Sequence, residues 1–222
     1  MAAVAVMQLM LTGPNIAGMT TDHSPPTRMK TYLEFSDHID WQHPDILALA
    51  RQLAGGSDDD TQIARACFHW VRDHIKHSAD HRLDHTTCRA SEVLQRGHGF
   101  CYAKSHLLAA LLRANGIPAG LCYQRLSIDD NGAPYCLHGL NAVHLKDHGW
   151  YRIDARGNKP GVDAQFEPPR ERLAFALNDE NECDFPEIWA RPLPVVTEVL
   201  TGFDTCRGVL DNLPDVAIIA TR

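Results

Sequence analysis

The stretch from Cys101 to Pro118 constrains this chain more than any other part of it. Leu107, Leu108, Leu111 and Leu112 recur at helical spacing. Asn115-Gly116, with Pro118 just beyond, has the chemistry of a helix end. So apolar a helix belongs inside a core. From residue 120 the pattern turns to strands at 120–127, 138–145 and 150–154. Turn residues separate them at Asp129-Asp130-Asn131-Gly132 and at 146–149, so the last two strands form a hairpin. Helices first and strands after predict an α+β fold, a buried helix packed on an antiparallel sheet.

Upstream of that helix the chain reads as helical. Pro44 suits a first turn, Ile46, Leu47, Ala50 and Leu53 share a face, and Gly55-Gly56 ends the segment. Ser57 before three aspartates is a good N-cap with charge suited to the helix dipole. Ile63, Cys67, Trp70, Val71 and Ile75 follow at helical spacing and predict a helix to about residue 77. A polar loop runs on through Thr87, and 90–94 is a short helical piece. Residues 31–35 read as a short opening strand. Beyond the sheet, Pro168-Pro169 precedes a helix expected at 170–176, and 195–202 reads as another.

Residues 1–28 are expected to be a disordered leader. The first basic residue is Arg28, so apolar 1–11 lacks the positive start of a secretory signal, and Ser24-Pro25-Pro26 breaks structure. Residues 29–222 are expected to form a single domain, with its core at about 60–160 and a C-terminal extension at about 161–222. A net charge of −7 leaves no electrostatic footprint for nucleic acid. No stretch approaches the length of a transmembrane helix, so no membrane partner is expected. Seven cysteines, an odd number with no CxxC pair, do not read as a disulfide framework and point to a reducing cytoplasm.

Two glycines in Arg96-Gly97-His98-Gly99-Phe100-Cys101 lead a thiol onto the start of the central helix. First-turn N–H groups there lack intrahelical partners, and their partial positive charge favours thiolate over thiol. A buried free cysteine is ordinarily a small hydrophobe, and Cys67, Cys122 and Cys136 are read that way. Cys101 differs because His138 and Asp154 follow on the hairpin strands. Their midpoint falls at Lys146, inside the turn, which predicts a nearly opposed pair, within a register slip of a residue or two. An aspartate there could orient an imidazole and stabilise its cation. His144 lies on the same face as His138, and turn geometry alone does not separate the two. His69, His74, His77, His81 and His85 lack the spacing of a metal site and are read as solvated.

Three blocks in this order resemble the transglutaminase-like superfamily of thiol enzymes. They are the Gly-rich approach to Cys101 with Leu111-Leu112-Arg113-Ala114-Asn115-Gly116-Ile117-Pro118-Ala119, then His138 at the head of a strand, then Gly149-Trp150-Tyr151-Arg152-Ile153-Asp154. The family pattern favours His138 over His144, although Leu140 stands where the family often has an aromatic. The resemblance implies a papain-like core and a Cys101–His138–Asp154 triad. It implies acyl transfer at an amide carbonyl through a thioester, with hydrolysis favoured over crosslinking. The expected substrate is a peptide, a protein or a small amide, and no cofactor or metal is expected. Two other readings are a catalytically inert binding module that kept the fold and a His-rich metal-binding protein.

Overall fold

The computed structural model describes residues 27–129 and 131–217. The expected leader lies outside the described residues apart from Thr27 and Arg28, which open the helical turn α1 (Thr27–Lys30). The strand expected at 31–35 is absent: Thr31–Leu33 is a 3-10 turn. This segment is held instead by side chains, with the Tyr32 hydroxyl donating to the Ile188 carbonyl at 2.9 Å.

Pro44 opens α2 (Pro44–Ala54), and Gly55 closes it in the left-handed region at φ +58°. The next helix, α3 (Asp60–His74), is capped by Asp59 and not by Ser57. The Asp59 carboxylate accepts from the N–H groups of Thr61 and Gln62 at 2.9 and 3.2 Å. This helix stops at His74, short of the expected end, because Ile75 turns extended. Lys76–His77 (β1) then pairs in parallel with His98–Gly99 (β2), His77 lying opposite Gly99. Between them run α4 (Ser78–His81), inside the expected loop, and α5 (Ala90–Arg96).

The central helix is α6 (Cys101–Ala114), and every residue from Cys101 to Arg113 is buried. Leu107, Leu108, Leu111 and Leu112 are each 0% exposed. Burying such a side chain contributes about 1.5–3 kcal/mol. Helices α2, α3 and α5 surround α6 on one side, and the sheet covers it on the other. Arg113 locks its far end, donating to the carbonyls of Ala119, Glu34 and Ala190 at 2.7–3.0 Å.

The sheet is antiparallel in the order β5-β4-β3-β8, from β3 (Ala119–Ser127), β4 (Tyr135–Leu145), β5 (Gly149–Ile153) and β8 (Cys183–Asp184). The helix expected at 170–176 is instead β7 (Arg170–Arg172), paired with β6 (Gln165–Glu167). Ladder hydrogen bonds to β6 fix this segment as extended. The extension ends in α7 (Pro194–Gly202) and α8 (Cys206–Leu210). Among the described residues no helix is long and apolar enough to cross a membrane.

Candidate active site

Parallel pairing of β1 with β2 sets His77 beside Gly99, two residues before Cys101. Gly99 has no room for a side chain, since a Cβ would lie 3.1 Å from both the Ala103 Cβ and the Thr87 Oγ1. The chain thereby turns tightly from β2 into α6 and delivers Cys101 to the first helical position.

On the sheet side, β5 ends at Ile153, opposite Asn141. From there toward its start, the β4 edge has no strand partner on that side among the described residues. Two of its outward N–H groups find other acceptors: Leu137 donates to the Pro214 carbonyl at 2.7 Å, and Gly139 donates to Cys101 Sγ at 3.5 Å. The helix start approaches this closely because residue 139 is a glycine. A Cβ there would lie 2.8 Å from a Tyr102 ring carbon and 3.1 Å from the Tyr102 Cα.

His138 and Asp154 meet, though not as directly opposed residues. The hairpin pairs Leu145 with Gly149, so its register sets Asn141 against Ile153, and Asp154 comes level with Leu140. A three-residue turn closed by Gly149 at φ +67° imposes this shift. His138 and Asp154 are diagonal neighbours on one face, close enough for side chains to bridge. The His138 Nε2 lies 2.7 Å from the Asp154 Oδ2. His144 is six residues along the strand, about 20 Å away at strand rise, and its ring packs edge-on to Trp150. The structure therefore brings His138, and not His144, to Cys101.

Asp154 is 0% exposed, and its oxygens are held by three donors. Besides His138 these are the N–H groups of Arg156 at 3.0 Å and Ala174 at 3.1 Å. Burial raises the Asp154 pKa, but the His138 charge and these hydrogen bonds outweigh it and hold it below the usual carboxylate range. Burial likewise pulls His138 down, yet the Asp154 carboxylate and then the Cys101 sulfur push it up to about 10. Phe175 covers the imidazole edge-on, with ring centroids 5.0 Å apart.

Cys101 and His138 line a cavity of about 640 Å3. Leu126, Ile128, Leu137, Leu210 and Leu213 make part of its lining apolar. Arg156 and Lys159 add cations, both tied to Asp80 at 2.5–2.8 Å. His77 lines the same cavity and is 8% exposed, which corrects the expectation of a solvated ring. Burial first, then Arg156, hold its pKa well below the usual value against the opposing pull of Asp80. Cys136, expected in packing, is half-buried and also faces this cavity. Among the described residues no cluster of histidine, cysteine and carboxylate side chains could hold a metal ion.

Sequence reasoning missed Lys104, Gly139 and the contribution of Ala174 and Phe175. A lysine in the first turn of an all-buried helix was a visible signal. The contacts of Ala174 and Phe175 had none, because they depend on how the extension folds back.

A buried helix that starts at a cysteine, set against a sheet edge with a histidine–aspartate pair, defines a papain-like arrangement. A model of the transglutaminase-like superfamily matches residues 47–155, and that stretch of the chain belongs to the superfamily. Among solved structures it is similar to a proposed cysteine protease of Cytophaga hutchinsonii, at 18% identity and a TM-score of 0.49, covering 62% of this chain and 45% of that one. It is also similar to the periplasmic domain of TgpA from Pseudomonas aeruginosa, at 20% identity and a TM-score of 0.44, covering 60% of this chain and 48% of that one. The chain thus spans less than half the length of either structure. No curated protein matches it.

Proposed function

We propose that this protein is a thiol enzyme that cleaves an amide bond by acyl transfer, with Cys101 as nucleophile, His138 as acid and base, and Asp154 as the orienting group. One observation carries the proposal. At the floor of a cavity, the Asp154 carboxylate holds one nitrogen of His138 at 2.7 Å, while the next residue of the strand donates to Cys101 Sγ. That leaves the imidazole Nδ1 for the thiol.

The Cys101 thiolate attacks the carbonyl carbon and forms the C–S bond, and the carbonyl oxygen takes the negative charge. The backbone N–H of Cys101 and the His77 ring meet that oxyanion. Collapse breaks the C–N bond, and His138 gives its proton to the leaving amine. The neutral imidazole then takes a proton from water, which attacks the thioester and releases the acid and the thiolate. Hydrolysis is favoured over crosslinking because Cys101 is 8% exposed, and its cavity admits water more readily than a second protein chain. The apolar lining suits a peptide, a protein segment or a small amide that presents an apolar side chain. The cysteine usage of the chain suits work in a reducing cytoplasm.

The test is mass-spectrometric mapping of alkylation at about pH 6. Burial pushes the thiols of Cys67, Cys88, Cys122 and Cys136 up to about 12, so they are protonated there. Cys101, paired with an imidazolium, is expected to label first. Uniform labelling of the seven thiols, or preference for Cys67, would reject the enzyme in favour of an inert binding module.

A further inference from the structure

Lys104 sits one turn after Cys101 on α6 and is 1% exposed. Nothing in the acyl-transfer scheme uses it. A lysine is almost never fully buried unless it is paired, because burial strips its ammonium of water. Here the ammonium donates to the Ile75 carbonyl, two residues before His77. On another side it meets the turn that follows Asp154. A Cβ on Gly157 would lie 3.5 Å from the Lys104 Nζ. One side chain of the helix that carries Cys101 therefore bonds the residue that leads into the His77 strand and lies against the turn that follows Asp154.

We propose that Lys104 is a positioning residue of this site: its charged ammonium clamps the His77 strand and the turn after Asp154 onto the nucleophile helix, and keeps His77 uncharged as an oxyanion donor. The inference rests on the acyl-transfer reading above. The groups that face Lys104 are Arg156 and Asp154 from the turn, Asp73 from α3, Asp80 from α4 and His77 from β1. Burial, and then Arg156, lower its pKa against Asp154, Asp73 and Asp80, to about 7. Lys104 in turn adds to the effects that hold His77 low. The clamp is thus charged below about 7 and discharges as pH rises through it. His138, held up at about 10, stays protonated across that step and does not cause it.

The experiment measures kcat and KM against pH for the wild type, Lys104→Met and Lys104→Gln with a chromogenic amide or thioester. Methionine keeps all but the last atom of the side chain without charge, and glutamine adds an uncharged N–H donor one bond short of the ammonium. The wild type should lose about tenfold in kcat between about pH 6 and pH 9 and reach a plateau, a loss in keeping with a sub-ångström misplacement. Both variants should sit at that plateau throughout, with KM within about twofold of wild type. Their melting temperatures should change little, since removing the desolvation cost of a buried ammonium offsets the loss of its bond to the Ile75 carbonyl. Variants with wild-type kcat and pH profile would overturn the proposal. So would a lower melting temperature with an unchanged pH profile, which marks a packing role. Glutamine restoring wild-type kcat would overturn the requirement for charge. Alkylation of the wild type is the control: if Cys101 does not label first, the acyl-transfer reading itself fails. If it does label first and the variants behave as wild type, only the role of Lys104 fails.

Discussion

Gly139→Ala tests whether the approach of β4 to the helix start sets the catalytic distance. A Cβ at this position would lie 2.8 Å from a Tyr102 ring carbon, 3.1 Å from the Tyr102 Cα and 3.3 Å from its nitrogen. Carbon atoms prefer separations of about 3.5–4.0 Å. The ring cannot swing aside, because Tyr102 is 1% exposed and its hydroxyl donates to the Leu137 carbonyl on the same strand. The other two contacts are backbone. The strand must therefore retreat from the helix by roughly half an ångström, carrying His138 away from Cys101 and stretching the Gly139 N–H contact to sulfur. Overpacking of this kind costs about 1–3 kcal/mol. At about 2–4 °C per kcal/mol for a chain of this size, the melting temperature should fall by about 2–12 °C. Misplacement by 1 Å can cost about 100-fold in rate, so half of that predicts about a tenfold loss in kcat.

The assay is kcat per folded molecule beside a thermal melt, with Gly120→Ala as control. A Cβ on Gly120 would run into the Ile188 side chain and lie 3.1 Å from the Trp189 carbonyl, in contacts that involve none of the three triad residues. Gly120→Ala should lower stability and leave kcat near wild type. If Gly139→Ala melts lower yet keeps wild-type kcat, the close approach does not set the Cys101–His138 geometry. If both variants lose kcat equally, the loss is global and the argument fails in the same way.

Asp154→Asn should lower kcat by about 10–10³-fold, less than in a serine triad because a thiol ionises more readily than a hydroxyl. Since the Asp154 charge does most to hold His138 up, the imidazolium should discharge at lower pH, and a pH–rate profile should show its alkaline limb moved downward. Turnover within about twofold of wild type would leave Asp154 as a strand-end residue only. His77→Leu should lower kcat by about 10²–10³-fold, the usual cost of one oxyanion donor, while Cys101 keeps its alkylation rate. Loss of both together would show that His77 supports the thiol and not the oxyanion.

What was legible in the sequence is what local chemistry decides. Pro44, Gly55 and the Asn115-Gly116 stop mark helix ends through φ and hydrogen-bonding rules that hold wherever the segment packs. The turn residues between β4 and β5 show the hairpin for the same reason. The exact register was not legible, because a turn of three residues moves Asp154 two places along from the position opposite His138. Residues 31–35 and 170–176 were misread because their conformation comes from partners far away in the chain. Tyr32 is anchored at Ile188, and Arg170–Arg172 pair with Gln165–Glu167. His77 looked like one of several solvated histidines until β1 paired with β2.

The family match ends at residue 155, yet the candidate site does not. Asp154 is fully buried, and its Oδ2 accepts from both the His138 ring and the Ala174 N–H. A buried carboxylate with only one charged partner is expensive, and each backbone N–H directed at it stabilises the ionised form. Phe175 then closes over His138 and excludes water from the pair, which strengthens the Asp154–His138 attraction. The Phe175 ring also lies under the Arg156 guanidinium, 5.6 Å from its centroid, so the turn after Asp154 and the extension brace each other. The three residues that the sequence singles out all lie within the matched region, whereas part of what holds Asp154 and His138 comes from residues 174 and 175. Ala174 and Phe175, outside the matched region, therefore complete the surroundings of the candidate site.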